Sequence, residues 1–187
     1  GLAASFTCGG IPHVPASVSE VYAHTFPRMA AKTRQYYDRY PADIERVAAL
    51  ADALEAQKPV LPDGSPMTVE RLQLMGSDFG MKPSFERMHW IIDHAFVDGD
   101  GTLTCGASVS DSFLMRAFER TNTRTNPLYW TLQEFIYADG DTMPIRWAAA
   151  EEKARRAEFD TLTRPLMFTG EAMFPWMFDQ MPELKPF

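Results

Sequence analysis

Two glutamates stand among aromatic residues in the C-terminal half of the sequence and could bind a cation. Glu134 lies in LYWTLQEFIYADG, with Trp130 four residues before it and Tyr137 three residues after it. A helix would place these three side chains on one face. Glu171 follows a Thr-Gly pair at the start of a predicted helix rich in Met and Phe. The residues alone leave two alternatives for each carboxylate: it binds a cation, or it lies at a solvated edge or complements a helix dipole.

Other combinations of reactive residues do not form a recognisable active site. In the glycine-rich segment VDGDGTLT, a calcium-loop alignment puts Phe96 and Ala107 where the first and last carboxylates are needed, so we interpret it as a polar turn. Among His89, Asp93 and His94 only the first two share a helical face, which indicates a partly buried histidine beside a carboxylate rather than a metal site. The sequence has no G-x-S-x-G, P-loop or G-x-G-x-x-G motif. We therefore expect an incomplete enzyme without a metal or other cofactor.

The elements that must position these residues are predicted to be almost entirely helical. Apolar periodicity indicates seven or eight short helices. The first carries a stripe over residues 18–37, with Pro27 inside it, which should kink or split the helix. Thr68 and Ser84 are placed to cap later helices, and Asn126-Pro127 gives the N-cap and first residue of another.

The opening stretch, GLAASFTCGGIPHV, differs from this helical pattern. Residues 3–8 favour an extended conformation, and Gly9-Gly10 then form a turn. The segment PLMF, residues 165–168, is the other extended candidate. Because a single strand cannot satisfy its own backbone hydrogen bonds, the opening strand needs partners that the rest of the sequence does not provide.

Charge and cysteine content narrow the class of protein. The chain of 187 residues has a net charge of −7, which argues against a nucleic-acid partner and leaves room for a small amine-bearing ligand. Cys8 and Cys105 are far apart and fit reduced cytosolic thiols better than a disulfide framework. No apolar run reaches the roughly 20 residues that a membrane helix needs, and no basic leader is present. We therefore expect no membrane partner and a cytoplasmic location.

Several segments, in order from about residue 3 to the end, resemble the proline iminopeptidases (prolyl aminopeptidases) of the α/β-hydrolase fold. The resemblance implies a mainly-α helical cap (lid) domain over residues 15–187, preceded in residues 1–14 by the end of a core strand and the exit to the cap. The catalytic sheet and its Ser-Asp-His triad would lie outside this chain, which would be inactive alone. The matching segments are FTCGGIPHV, VYAHTFPRMAAKTRQYYDRYPADIERV, LPDGSPMTVERLQLMG, FERMHWIIDHAF, TNPLYWTLQEFIYADG, RWAAAEE and LMFTGEAMFPWMF.

The same resemblance implies a function for the cap. The complete protein would be a serine peptidase that releases N-terminal proline from peptides, and the cap would select the substrate. Glu134 and Glu171 would bind the substrate's amino group, although Gln133 stands where the family usually has a histidine before the first glutamate. The side chains that could enclose the pyrrolidine ring are Trp130, Tyr137 and Phe174.

Two alternatives remain at this point. The chain could be the cap of a related hydrolase, an esterase or an epoxide hydrolase. It could also be the helical ligand-binding and dimerisation module of a transcription regulator, although the negative charge and the opening strand argue against that class. An apolar underside or the strand stub would also allow self-association with a second copy.

Overall fold

A computed structural model describes residues 3–4, 17–96, 107–137 and 145–187. These residues contain eight α-helices and no sheet, with only two isolated β-bridges, so the predicted mainly-α class is confirmed. Most of the predicted strand stub, both cysteines and the calcium-like segment lie outside the described residues. The helices are α1 (Val18–Arg39), α2 (Asp43–Gln57), α3 (Val69–Leu74), α4 (Phe85–Asp93), α5 (Asp111–Thr121), α6 (Pro127–Leu132), α7 (Ala148–Ala154) and α8 (Pro175–Gln180). Short 3₁₀ turns span Met75–Gly80, Phe135–Tyr137 and Ala157–Phe159.

Helix α1 continues through Pro27, so the proline does not split it. Proline lacks an N–H, which leaves the carbonyl of Ala23, four residues earlier, without its helical donor. The guanidinium of Arg156 donates a hydrogen bond of 3.5 Å to that carbonyl. Tertiary contact therefore compensates in part for the missing backbone bond.

The predicted helix caps have mixed outcomes. Thr68 caps α3, because its hydroxyl accepts a hydrogen bond of 3.3 Å from the backbone N–H of Arg71. Ser84 and Asn126 stand at the starts of α4 and α6, but neither side chain makes a capping hydrogen bond. A Ser, Thr or Asn at the N-cap position thus predicts where a helix begins better than it predicts a capping hydrogen bond.

The apolar faces of the helices form two cores. The first packs α2, α3, α4 and α5 around an aromatic cluster in which Tyr36, Phe79 and Phe168 lie 5.3–6.0 Å apart between ring centroids. The second packs α1 against α7 and α8, with the rings of Phe26 and Phe159 edge to face at 5.0 Å. The candidate functional residues lie beside the second core.

Residues 165–168, the second extended candidate, belong to no strand, and residues 166–168 are buried between the helices. Side chains replace a neighbouring strand as hydrogen-bond partners. The amide nitrogen of Gln73 donates to the carbonyl of Met167 at 3.0 Å, and the hydroxyl of Tyr37 donates to the carbonyl of Leu166 at 2.7 Å. These contacts fix the segment that leads to Glu171.

Candidate functional site

Glu134 lies in the turn between α6 and the following 3₁₀ turn, and not on a helix. Helix α6 ends at Leu132, so the predicted helical face shared by Trp130, Glu134 and Tyr137 does not form. The Glu134 side chain is nevertheless buried, with 5% of its residue surface exposed. A buried carboxylate requires polar partners, and these come from another part of the chain.

The Glu134 carboxylate binds the N-terminus of α7. Its Oε2 accepts a hydrogen bond of 3.2 Å from the N–H of Ala148, and its Oε1 accepts one of 3.0 Å from the N–H of Ala149. These N–H groups are among the four at a helix start that have no partner within the helix. Trp147, at the N-cap position, supplies no side-chain cap. Glu134 therefore caps α7 from 14 residues away, and each carboxylate oxygen keeps a further lone pair.

The surroundings of Glu134 act in opposite directions on the ionised form of its carboxylate. Burial raises the pKa of Glu134, while the two backbone N–H groups act to lower it. Burial, and then the nearby Glu134 charge, also raises the pKa of Tyr22 on α1. The buried Tyr22 hydroxyl faces Glu134, and as a donor to that carboxylate it acts to lower the pKa of Glu134. Glu134 forms no ion pair with a Lys or Arg among the described residues, although Arg146 lines the cavity onto which Glu134 opens.

Glu134 opens onto a cavity of about 560 Å³ with a mainly apolar lining. This volume is within the range typical of small-molecule sites. Trp147 and Phe178 meet edge to face there, 5.3 Å apart between centroids. The residues that line the cavity are Thr131, Glu134, Phe135, Ile145, Arg146, Trp147, Met173, Phe178 and Phe187. The cavity thus combines one buried carboxylate with several aromatic rings.

Glu171 is exposed and precedes α8 by four residues, since that helix begins at Pro175. The interpretation of Glu171 as a first-turn residue that complements the helix dipole is therefore wrong. Its carboxylate accepts a hydrogen bond from the hydroxyl of Tyr129 on α6. The amide nitrogen of Gln133 donates to the Glu171 backbone carbonyl at 3.3 Å. This bond ties the Glu171 backbone to the residue before Glu134, but Glu171 is not among the residues that line the Glu134 cavity.

The three aromatic residues predicted to enclose a pyrrolidine ring are dispersed. Trp130 and Tyr137 are half-buried against the second core. Phe174 stacks on Trp176 at 6.2 Å and lines a different cavity, which also contains Lys153. None of the three lines the cavity beside Glu134. Their role in ring binding remains a prediction.

Sequence reasoning missed the aromatic residues that do line the cavity: Phe135, Trp147, Phe178 and Phe187. Helical spacing predicts partners for Glu134 three and four residues away along the sequence. Phe135 is adjacent to Glu134 in sequence, which was the available signal. Nothing in the local pattern around Trp147, Phe178 or Phe187 indicates that they line the same cavity as Glu134.

The histidine and aspartate proposed as partners on α4 pair with charged residues of α2 instead of with each other. His89 is half-buried beside a carboxylate, as interpreted, but that carboxylate is Asp43, whose Oδ2 lies 2.9 Å from the His89 Nδ1. Asp93 instead pairs with Arg46 at 3.0 Å.

The described residues contain no group of three His, Cys, Asp or Glu side chains able to hold a metal ion. Across the same residues, no helix has the length and apolarity to cross a membrane.

Comparison with known proteins identifies relatives of the whole chain. It is 34% identical over 185 residues to a proline iminopeptidase of Aeromonas sobria, a match that covers 97% of this chain and 40% of the relative. It is 29% identical over 170 residues to proline iminopeptidase aneH of Aspergillus aculeatus, covering 89% of this chain and 36% of that protein. No protein-family model matches. The chain thus spans well under half the length of the curated relatives it matches. The resemblance seen in its motifs is confirmed, because nearly all of the chain is similar to one part of the proline iminopeptidases.

Proposed function

We propose that this chain is the substrate-selecting cap of a serine hydrolase that releases N-terminal proline from peptides. Residues 15–187 form the cap in this proposal, and residues 1–14 are the end of a core strand and its exit. Similarity to about 40% of a proline iminopeptidase supports it. So does the absence of a sheet among the described residues, since the catalytic fold of such a hydrolase is built on one.

The observation that carries the proposal is the buried Glu134 carboxylate at an aromatic-lined cavity. An N-terminal proline presents a positively charged secondary amine beside a small apolar ring. An ammonium that leaves water needs a paired carboxylate to offset its desolvation. Glu134 has this charge, is held in place by two backbone N–H groups, and retains lone pairs for a second donor. The aromatic lining provides apolar surface for the ring.

Glu171 is the proposed second ligand of the amine. Its carboxylate is oriented by the Tyr129 hydroxyl, and its backbone is tied to Gln133, the neighbour of Glu134. A proline amine has two N–H bonds when protonated, so two carboxylates could each accept one. Such a bidentate arrangement would fix the scissile bond relative to a serine in the catalytic domain.

The exposed apolar residues of α6 and the turn after it fit the role of a cap. Neither element contains a buried residue, although both are rich in large apolar side chains. We propose that the remainder of the protein covers this face and encloses the cavity, which would exclude water during acyl transfer. The side chains concerned are Leu128, Leu132, Phe135 and Ile136, exposed by 49–65%.

The proposal is tested by comparing two substrates in the full-length protein. Proline p-nitroanilide requires the amine site, whereas p-nitrophenyl acetate requires only the catalytic groups. Replacing Glu134 or Glu171 with Gln removes a charge-assisted hydrogen bond, so kcat/KM for the prolyl substrate should fall at least tenfold. Hydrolysis of the ester should change by less than about twofold, which also reports an intact fold.

Glu55→Gln provides the matched control, because Glu55 is an exposed glutamate on α2 that lies outside the cavity lining and does not affect the pKa of Glu134. It should leave both activities unchanged. Normal prolyl kcat/KM in both the Glu134 and the Glu171 variant would refute the amine site. Ester hydrolysis without any prolyl activity in the wild-type protein would refute the substrate and favour another hydrolase.

A further inference from the structure

A second cleft, the arginine groove, lies between α4 and α5, away from the Glu134 cavity. It has a volume of about 430 Å³, and its lining shares no residue with that cavity. Arg87 comes from α4, and Arg116 and Arg120 come from α5. The described lining includes no Asp or Glu. In a chain with a net charge of −7, this is a local reversal of sign.

One buried carboxylate holds two of these arginines. Asp78, with 6% of its side chain exposed, lies 3.0 Å from Nη1 of Arg87 and 3.9 Å from Nη1 of Arg120. Both arginine side chains remain about one-third exposed and line the groove. A guanidinium has five N–H donors, so each arginine keeps donors for an oxyanion after binding Asp78. The groove is therefore partly preorganised.

Arg116 is freer than the other two. Its side chain is 58% exposed, and its guanidinium pairs at 2.9 Å with Glu119, which is also exposed. A surface pair of this kind contributes little free energy, so a ligand can replace Glu119 at small cost. Arg116 is thus the arginine most able to turn toward an incoming anion.

The groove also presents a flat apolar surface. Trp90 lines it and is 60% exposed, an unusual state for an indole. It stands three residues after Arg87 on α4, so the two side chains lie on the same face of the helix. His94, one turn further, is fixed through its Nδ1, 2.9 Å from the Trp90 carbonyl. An aromatic ring stacked on Trp90 would place an attached anion near the arginines.

We propose that the arginine groove binds a small organic anion, a phosphate or carboxylate attached to a planar ring. The oxyanion binds the guanidinium groups, and the ring covers the exposed indole. Guanidinium groups match the geometry of both oxyanions by paired hydrogen bonds. The site is independent of the proposed amine site, because it uses other helices and the opposite ligand charge.

Titration calorimetry on the full-length protein tests this inference with phenyl phosphate, benzoate and inorganic phosphate as probes. Phenyl phosphate should bind more tightly than inorganic phosphate, and added salt should weaken its binding. Arg116→Ala should weaken phenyl phosphate about fivefold or more. Trp90→Ala should remove the advantage of phenyl phosphate over inorganic phosphate. Benzoate shows whether a carboxylate serves as well as a phosphate.

Arg34→Ala is the matched control, because Arg34 is 56% exposed and pairs with Glu158 at 3.0 Å, outside the groove. It should leave binding unchanged. The proposal is overturned if neither phenyl phosphate nor benzoate gives saturable binding below roughly 10 mM. Equal weakening by the Arg34 and Arg116 variants would also overturn it, since that outcome indicates non-specific charge attraction. Unchanged selectivity in Trp90→Ala would overturn the role assigned to the ring.

Discussion

Gly76 lies at the closest approach between two parts of the chain, and its replacement should be strongly destabilising. It stands in the 3₁₀ turn after α3, against the segment that leads to Glu171. A Cβ added at Gly76 would lie 2.5 Å from the Cβ of Phe168 and 2.5 Å from the backbone oxygen of Thr169. Ordinary van der Waals contact begins at 3.4 Å, so each contact would be about 0.9 Å too short.

Neither of the atoms that would clash can move alone. One belongs to the backbone, and the other is the first side-chain atom of Phe168, whose ring is fully buried among the aromatic residues of the first core. The Thr169 N–H also donates to the carbonyl of Gln73 at 2.9 Å, which ties the segment to α3. Overpacking in a rigid core costs about 1–3 kcal/mol, and two backbone-level clashes should reach the upper end, about 3 kcal/mol. Displacing this segment should also lower prolyl kcat/KM, because it carries Glu171.

Urea denaturation of the full-length protein measures this cost for Gly76→Ala. Gly80→Ala is the control in the same turn, since a Cβ there meets nothing within 4 Å. The control should change the free energy of unfolding by less than about 1 kcal/mol, with stabilisation the favoured direction. Equal midpoints for the two variants would refute the packing argument.

Three further outcomes are expected. Asp43→Asn should lower the free energy of unfolding by about 3 kcal/mol in thermal or urea unfolding, because the fully buried Asp43 accepts hydrogen bonds from Tyr36 and Arg46. The control Asp52→Asn, at an exposed aspartate, should cost under about 1 kcal/mol. Equal losses of stability in the two variants would contradict the role of burial. Thr68→Ala should cost about 1 kcal/mol through its lost N-cap bond. Burial raises the pKa of Glu134 above its ordinary 4.5, so protonation favours the folded state. The free energy of unfolding of the wild type, measured relative to that of Glu134→Gln, should therefore fall as pH rises from about 4 through the raised pKa. A difference between the two proteins that does not change with pH would contradict this expectation.

Local sequence signals predicted the helical content of this protein well. The apolar stripe of α1, the N-cap at Thr68 and the start of α6 at Pro127 each depend on residues within one or two turns. The ordered set of short motifs also sufficed for the resemblance that the relatives confirm. Helical periodicity and capping are short-range properties, which is why a single sequence reveals them.

The partners of the reactive groups were beyond the reach of the sequence. Spacing placed Glu134 on a helical stripe with Trp130, but α6 ends first, and the carboxylate caps α7 instead. Spacing likewise paired His89 with Asp93, whereas the fold pairs it with Asp43, 46 positions away. A buried charge takes whichever donors the packed helices bring to it.

By itself, then, the sequence predicted the mainly helical class and most of the helical segments, and it placed two glutamates among aromatic residues. Only the tertiary structure decided that Glu134 is buried, that the Glu171 backbone bonds to the Gln133 side chain, and which aromatic rings line the cavity. The reason is physical: helix formation follows from local backbone preference, whereas burial and hydrogen-bond pairing depend on contacts between residues far apart in the chain.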